Sequence, residues 1–232
     1  MGEWSFRPAG EGALYVVLGE RATADVRAEV QAVVHSIRQG LGDRVRDVVP
    51  GYVSVYVEFD PEVWAVGDLQ RAIETLAGVP QLPLPSRLIT VPVRYGDEWG
   101  PDLRVVAEEN GISEEEVVSL HVRPTYEVSF IGFTPGFPFL AGLDERLAIP
   151  RLAVPRRRVP RGSVGIAGLQ TGIYSVDSPG GWRIIGRTGL LLFDPRAPEP
   201  VLIRPGDTVR FVQSTEALPV GQFIDAPPVD PM

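Results

Sequence analysis

The stretch GSVGIAGLQTGIYS, from Gly162 to Ser175, sets the character of the second half of this 232-residue chain. Glycine recurs every three or four residues in it, with short aliphatic runs between. Short strands broken by glycine are typical of the corners of a closed β-structure. The stretch would equally suit a ligand loop, because glycine exposes backbone N–H groups. Its neutral hydrogen-bonding side chains are Ser163, Gln170, Thr171 and Tyr174.

The same pattern extends to both sides of this stretch. From Tyr126 onward the chain reads as short β-type runs, and RPGDTVRFV (204–212) predicts a turn and a final strand. Upstream, LITVPVRYG predicts a strand, and DLRVVAEENG and SEEEVVSLHV predict short helices. Ser113, with Glu116 three residues on, is a capping signal for the second helix. We therefore predict a mainly-β, closed or nearly closed domain.

The first eighty residues carry a different pattern. ALYVVLG (13–19) predicts a strand, and the apolar spacing after Thr23 predicts a helix ending near Gly40. RVRDVVPGYVSVYVEFD predicts a hairpin with its turn at Pro50-Gly51, and Pro61 begins a second helical pattern. This order predicts a small α+β domain with two helices on one sheet face.

The proline-rich segment VPQLPLPSR (79–87) has no hydrophobic periodicity and marks the predicted boundary between the two domains. We place an α+β domain at 1–82 and a β-barrel domain at 83–225. The tail at 226–232 is expected to be disordered.

Composition excludes several kinds of chemistry. The formal net charge of −8 argues against nucleic acid and anionic membranes as partners. The chain has no cysteine, and all 22 basic residues are arginine. Thiolate chemistry, Schiff bases, a phosphate-loop lysine and a biotinylated lysine are therefore excluded on this chain. His35 and His121 are too few for a histidine metal site.

The N-terminus and the apolar runs indicate the compartment. No apolar run reaches the length needed to cross a bilayer. Glu3 and Glu11 stand where a secretory signal would have a basic region and an apolar core. We expect a cytoplasmic protein.

Arginines concentrate in one segment. Five of them lie from Arg151 to Arg161, and Asp177 is the only carboxylate between Arg151 and Arg187. Arginine recognises carboxylate or phosphate through paired hydrogen bonds. A solvated face or salt bridges would also explain such a run, so we expect one or two of the five to serve a site. A period of two places Arg156 and Arg158 on the same strand face.

Two further segments are candidates for a site. GFTPGFPFLAGL (132–143) predicts either a rigid turn packed by phenylalanines or a loop where a ligand approaches Gly136. SPGGWRIIGRT (178–188) predicts a tight turn that presents Trp182. No nucleophile–base pair is visible. His121 is the better acid–base candidate of the two histidines, although a histidine at a helix end is also a common capping residue.

Five blocks of the sequence, in the order in which they occur, resemble the family of 5-oxoprolinase B subunits. That family is also known as KipI, the sporulation-kinase inhibitor, and as allophanate hydrolase subunit 1. Ser175 and Gly189 stand where that family usually has proline, and both are turn positions. The blocks that carry the resemblance are Gly132–Phe137, Pro150–Arg156, Val159–Gly168, Gln170–Tyr174 and Ser178–Thr188.

The resemblance implies an α+β N-terminal domain followed by a mainly-β cyclophilin-like barrel domain. It implies the B subunit of a bacterial ATP-dependent 5-oxoprolinase, inactive alone, with the enzyme's A and C subunits as partners. The A subunit activates the lactam 5-oxoproline by phosphorylation. The C subunit, itself a homologous barrel, opens the ring to glutamate together with this chain. ATP is then used by the complex, and no metal or biotin is expected on this chain.

The resemblance also implies a site shared with the homologous barrel partner. Arg156 and His121 are its expected catalytic residues, with His121 moving a proton. Arg156, Ser163 and Gln170 are expected to hold substrate oxygens. The full set of expected substrate-binding residues is Gly136, Phe137, Arg151, Ser163, Gln170, Thr171, Tyr174, Ser178, Gly180, Trp182 and Arg187.

Three other functions are compatible with the sequence. A histidine-kinase inhibitor would need an apolar surface around Phe137, Phe139 and Trp182. A carboxyltransferase-like subunit of a urea carboxylase system would receive its biotin on a separate domain. A stand-alone prolyl isomerase is disfavoured, because a barrel fold does not determine function.

Overall fold

A computed structural model of the chain describes residues 4–77 and 86–215. The chain divides by packing into two compact units, residues 1–85 and 86–232. The boundary predicted at 82/83 and the tail predicted at 226–232 both lie outside the described residues.

The first unit contains a four-stranded antiparallel sheet in the order β1-β2-β4-β3, and two helices. Helix α1 begins after Thr23, whose side chain accepts a hydrogen bond from the Val26 amide. Side chains of both helices and of the sheet share one apolar core, which includes Leu14, Ile37 and Ile73. The elements are β1 (Ser5–Pro8), β2 (Ala13–Val17), α1 (Ala24–Leu41), β3 (Asp47–Pro50), β4 (Ser54–Glu58) and α2 (Val66–Ala77).

Strand β1 was not predicted. Its side chains are exposed apart from the half-buried Phe6, so it lacks the alternation of buried and exposed residues that marks a strand in sequence. Its pairing with β2, from Ser5 opposite Val17 to Pro8 opposite Leu14, is therefore made through the backbone.

The second unit contains a closed seven-stranded barrel in the order β10-β7-β6-β13-β5-β12-β9, so the predicted closed β-structure is confirmed. A separate two-stranded ribbon pairs β11 with β8. The elements are β5 (Leu88–Tyr95), α3 (Leu103–Asn110), α4 (Glu114–Val122), β6 (Tyr126–Ile131), β7 (Pro138–Ala141), β8 (Arg156–Val159), β9 (Ser163–Ala167), β10 (Gln170–Ile173), β11 (Ser178–Gly180), β12 (Arg183–Arg187) and β13 (Thr208–Gln213).

Strand β13 completes the barrel by pairing in parallel with β5 and antiparallel with β6. Arg87, just before β5, donates from Nε to the Asp207 carboxylate at 3.0 Å and from Nη2 to the Leu202 carbonyl at 3.0 Å. The Asp207 side chain is only 6% exposed, so this pair fixes the beginning of both strands.

The glycine-rich stretch forms the hairpin of β9 and β10, and every residue of β9 is buried. Val164 and Ile166 belong to the main barrel core. Ala167 belongs to a second apolar cluster with Val159 of β8 and Trp182. Strand β9 is thus covered on both faces, which explains why its sequence contains almost no polar side chain.

Two glycines of this region provide a matched test of the backbone. Gly162 has a φ of +81°, and a Cβ there would collide with the Thr188 carbonyl oxygen. Gly168 has a φ of +58° with nothing within 4 Å of the added Cβ. We expect Gly168→Ala to lower the free energy of unfolding by about 1 kcal/mol, the cost of left-handed backbone. Gly162→Ala should lose clearly more in the same denaturant titration, and equal losses would contradict this packing.

Candidate functional site

An open cleft of about 580 Å³ lies beside strand β8 and the end of β12. Three arginines, Arg158, Arg161 and Arg187, line it together with a single carboxylate, Asp177. Three positive charges against one negative charge leave a surplus of two in a chain of net charge −8. Such a concentration of positive charge attracts anions. The other residues that line this arginine cleft are Pro160, Ser175, Val176 and Phe193.

Asp177 holds one side of the arginine cleft. Its carboxylate accepts a hydrogen bond from the Arg161 backbone amide at 2.8 Å and pairs with Arg158 Nη2 at 2.6 Å. The hydrogen bond from the Arg161 amide has the largest effect and the hydrogen bond from the Arg158 guanidinium the next largest, and both lower the pKa of Asp177 below its usual value. The Arg158–Asp177 pair is solvent-exposed, so it contributes little to stability and is easily replaced by another anion.

The other two arginines have no ion pair among residues 4–77 and 86–215. Arg187 Nε donates to the Arg161 backbone carbonyl at 2.9 Å, and its guanidinium carbon lies 5.8 Å from the centre of the Trp99 ring. The terminal N–H groups of Arg187 and the guanidinium of Arg161 are the donors that an anion in the cleft would meet.

The loop between β6 and β7 is tied to the floor of the cleft by Ser175. The Ser175 hydroxyl donates to the Pro135 carbonyl at 2.6 Å and lies 3.2 Å from the Thr134 hydroxyl. A side chain at Gly136 would meet Phe193 Cβ at 3.1 Å, so protein atoms already fill the space where a ligand was expected to approach. Packing therefore explains Gly136.

Arg156, expected to be catalytic, lies outside the residues that line the arginine cleft. Its Nη2 pairs with Asp102 Oδ1 at 2.7 Å, and the Asp102 side chain is 7% exposed. The other carboxylate oxygen of Asp102 accepts from the Ile184 amide at 2.6 Å. A buried carboxylate requires such partners, so the structure gives Arg156 a role in packing.

His121, expected to move a proton, lies inside the barrel with no exposed surface. The Thr171 hydroxyl donates to the Gly165 carbonyl, so it accepts from His121 Nε2 at 2.9 Å. The remaining nitrogen, Nδ1, therefore accepts from the Tyr95 hydroxyl at 2.8 Å. Burial lowers the pKa of His121 to about 3. The imidazole is therefore neutral, fully bonded and enclosed in the core, and it does not line the arginine cleft.

Most of the other expected site residues pack in the second apolar cluster or the barrel wall. The Phe137 ring contacts two others edge-to-face, with ring centres 5.2 Å apart for Phe137–Tyr174 and 5.4 Å apart for Phe137–Trp182. A side chain at Gly180 would collide with the Tyr174 ring. Ser163 and Thr171 are buried. Of the expected residues, only Arg187 lines the arginine cleft.

Three expected residues lie in other surroundings. Arg151 stacks its guanidinium 5.8 Å from the centre of the Trp182 ring. Gln170 begins strand β10 and is half-buried. The Ser178 hydroxyl is buried and has no hydrogen-bond partner within the described part of the chain.

Two of the three residues expected to form the apolar surface of a kinase inhibitor are buried, and the third, Phe139, is partly buried. Phe137 is 1% exposed and Trp182 5% exposed. Phe133 is exposed instead, at 61%, and its φ of +62° is unusual for an aromatic residue.

The cleft lies in the arginine-rich region expected from the sequence, but most of the residues that line it are not the expected site residues. Arg158, Arg161, Ser175 and Asp177 were not chosen, although Asp177 is the only carboxylate of the arginine-rich region. The isolated Asp177 is the signal in the sequence for these residues. A single acid in an arginine-rich region will have those arginines as its nearest positive charges once the chain folds back from β8 to β11.

No group of three or more histidine, aspartate or glutamate side chains is placed to hold a metal ion anywhere in residues 4–77 and 86–215. In the same described ranges, no helix is both long and apolar enough to span a membrane.

Comparison with known proteins gives consistent matches. Residues 4–203 match the family model of the carboxyltransferase domain, subdomain C and D. The 5-oxoprolinase B subunit of Escherichia coli O157:H7 is 48% identical over 75% of this chain and 80% of that protein. The protein of the same name from Bacillus subtilis (strain 168) is 39% identical over 89% of this chain and 91% of that protein.

A more distant match concerns the fold alone. The crystal structure of Kluyveromyces lactis urea carboxylase superimposes with a TM-score of 0.75 at 22% sequence identity. The match covers 91% of this chain and 22% of that chain.

The buried histidine predicts a pH dependence of stability. The pKa of His121 is about 3 in the folded chain, and that of an unfolded histidine is about 6.5. Below pH 6.5 the unfolded state binds a proton that the folded state does not. His121 therefore removes up to about 1.4 kcal/mol of stability per pH unit as the pH falls towards 3.

The measurement compares the free energies of unfolding of the unmodified chain and of His121→Gln from pH 7 to pH 4. The carboxylates are the same in both proteins, so the difference isolates the contribution of His121 to the pH dependence. The advantage of the unmodified chain should shrink as the pH falls. A difference that stays constant across this range would show that His121 is solvated.

Proposed function

The chain belongs to the family of 5-oxoprolinase B subunits, and from this premise we propose that it serves as that subunit in an ATP-dependent 5-oxoprolinase. In this proposal it works with the enzyme's A and C subunits, is inactive alone, and contributes to the site that opens activated 5-oxoproline to glutamate. ATP is used by the complex. The name of its relatives, which designates one subunit of several, supports an assembly of this kind.

The observation that carries the proposal is the surplus of positive charge in the arginine cleft. The substrate 5-oxoproline has a carboxylate, and its phosphorylated form also has a phosphoryl group. Arg161 and Arg187, which lack ion pairs in the described ranges, can bind either group through charge-assisted hydrogen bonds. These residues, with Arg158, replace Arg156, Ser163 and Gln170 as the proposed anion-binding set.

The cleft can stabilise negative charge but lacks a proton carrier of its own. Guanidinium groups favour the oxyanion that develops when water adds to a lactam carbonyl. The one carboxyl group in the cleft, Asp177, has a lowered pKa and is already held by Arg158 and Arg161. We therefore propose that the general acid or base comes from another chain, which supports a site shared with the homologous barrel partner.

The proposal also specifies the type of barrel and the cellular compartment. We propose that the seven-stranded barrel is of the cyclophilin-like type and that the complex works in the cytoplasm. The closed barrel supports the first, and the absence of a spanning helix from the described ranges is compatible with the second.

A second candidate is carboxyl transfer in a urea-type system. The match to a carboxyltransferase domain over residues 4–203 favours it, and a carboxylated carrier would also present a carboxylate to the arginines. Inhibition of a histidine kinase has less support, because Phe137 and Trp182 are buried.

The two candidates are separated by ATP-dependent glutamate release from 5-oxoproline. The chain is mixed with the A and C subunits encoded in the same genome, and each protein is omitted in turn. We expect glutamate only from the full mixture. Its absence from a mixture that demonstrably assembles would contradict the proposal, and transfer of a carboxyl group to urea would support the second candidate.

Substitutions in the cleft test the site within that assembly. Arg161→Gln and Arg187→Gln each remove a charge-assisted hydrogen bond, so each should raise the KM for 5-oxoproline about tenfold or more. Arg104→Gln is the matched control, because Arg104 is an exposed arginine on α3 whose pair with Glu108 spans 3.6 Å. Unchanged KM and kcat in both cleft variants would exclude the cleft as the substrate site.

A further inference from the structure

We propose that Trp99 is a positioning residue that holds Arg187 at the arginine cleft through its aromatic ring. This inference rests on the proposed function, because it concerns how the same cleft binds an anion. Trp99 does not line the cleft. It would act only through Arg187, whose guanidinium carbon lies 5.8 Å from the ring centre.

Trp99 lies beside two arginines that would otherwise repel each other. Arg187 on β12 is the direct cross-strand partner of Arg94 on β5, so both side chains stand on the same face of the sheet. Like charges opposite each other destabilise a strand pair. The Arg94 guanidinium carbon is 5.0 Å from the Trp99 ring centre, so one indole attracts both cations.

The loop that carries Trp99 is fastened to the strand that carries Arg187. The Gly96 amide donates to the Ile185 carbonyl at 3.1 Å, and the Asp102 amide donates to the Ile184 carbonyl at 2.9 Å. A side chain at Gly100 would collide with the Ile185 carbonyl, so the backbones are in close contact. The backbone of the loop that carries Trp99 is therefore attached to β12 at both ends, which restrains the position of the ring relative to Arg187.

Arg187 is restrained in two ways that together leave its terminal donors for a ligand. Its Nε is occupied by the Arg161 carbonyl at 2.9 Å, and its planar group is drawn towards the indole. Arginine loses side-chain entropy when it binds an anion, and this cost falls when its position is already fixed. Weakening the ring should therefore weaken anion binding without touching any group that meets the anion.

The test uses inorganic phosphate as the probe and the chain alone, so it does not depend on 5-oxoprolinase activity. Phosphate affinity is measured by NMR from the arginine Nε–H signals, with Arg187 assigned from Arg187→Lys. Replacing all tryptophans by fluorinated tryptophan withdraws charge from the ring faces with little change of shape. We expect the phosphate Kd to rise about two- to fivefold, the range of a partly exposed cation–π contact.

Trp99→Phe supplies the control for the other tryptophans, including Trp182, which contacts Arg151. In that variant the Kd should rise, and fluorination should have no further effect. In the assembled complex, Trp99→Phe should raise the KM for 5-oxoproline and leave kcat unchanged, which a general loss of structure would not do.

The possible outcomes separate the two proposals. Phosphate that binds at Arg187 with the same Kd before and after fluorination overturns the role of Trp99 alone. An equal effect of fluorination in Trp99→Phe assigns the change to another tryptophan and also overturns it. Phosphate that does not bind at the cleft of the unmodified chain overturns the anion site itself, and with it this inference.

Discussion

Asp102 places a carboxylate, 7% exposed, between two strands and a loop of the second unit. One oxygen accepts from the Ile184 amide on β12, and the other pairs with Arg156 on β8. A buried carboxylate is costly unless its oxygens are bonded, so the fold requires Arg156 at this place. Because Arg158 lies on β8 and Arg187 on β12, the same carboxylate fixes the strands that carry two of the three arginines of the cleft.

The arginine cleft carries a local surplus of positive charge in an acidic chain. Most arginines for which an ion pair is seen have an aspartate or glutamate partner on the surface, where such pairs contribute little to stability. In the arginine cleft, three arginines face the single carboxylate of Asp177, and only Arg158 forms an ion pair with it among the described residues. In an acidic chain, a local positive cleft of this kind is better suited to small anions than to extended polyanions such as nucleic acids.

Local patterns in the sequence predicted the closed barrel, the helix after Thr23 and the cap at Ser113, and the structure has all three. Roles that depend on distant partners were not predictable. Arg156 and Arg158 are alike in sequence, and only the fold sets the first against Asp102 and the second against Asp177. His121 lies near the end of a helix like many exposed histidines, but its side chain is fully buried between Tyr95 and Thr171 of the barrel strands.

The most direct test of the arginine cleft as an anion site is a crystal structure of the chain soaked in selenate, whose selenium is located by anomalous scattering. We predict a peak in the cleft within hydrogen-bond distance of the Arg161 and Arg187 guanidinium groups. Well-ordered selenate at other arginines, with none in the cleft, would contradict the central claim that these residues recognise the anionic groups of the substrate.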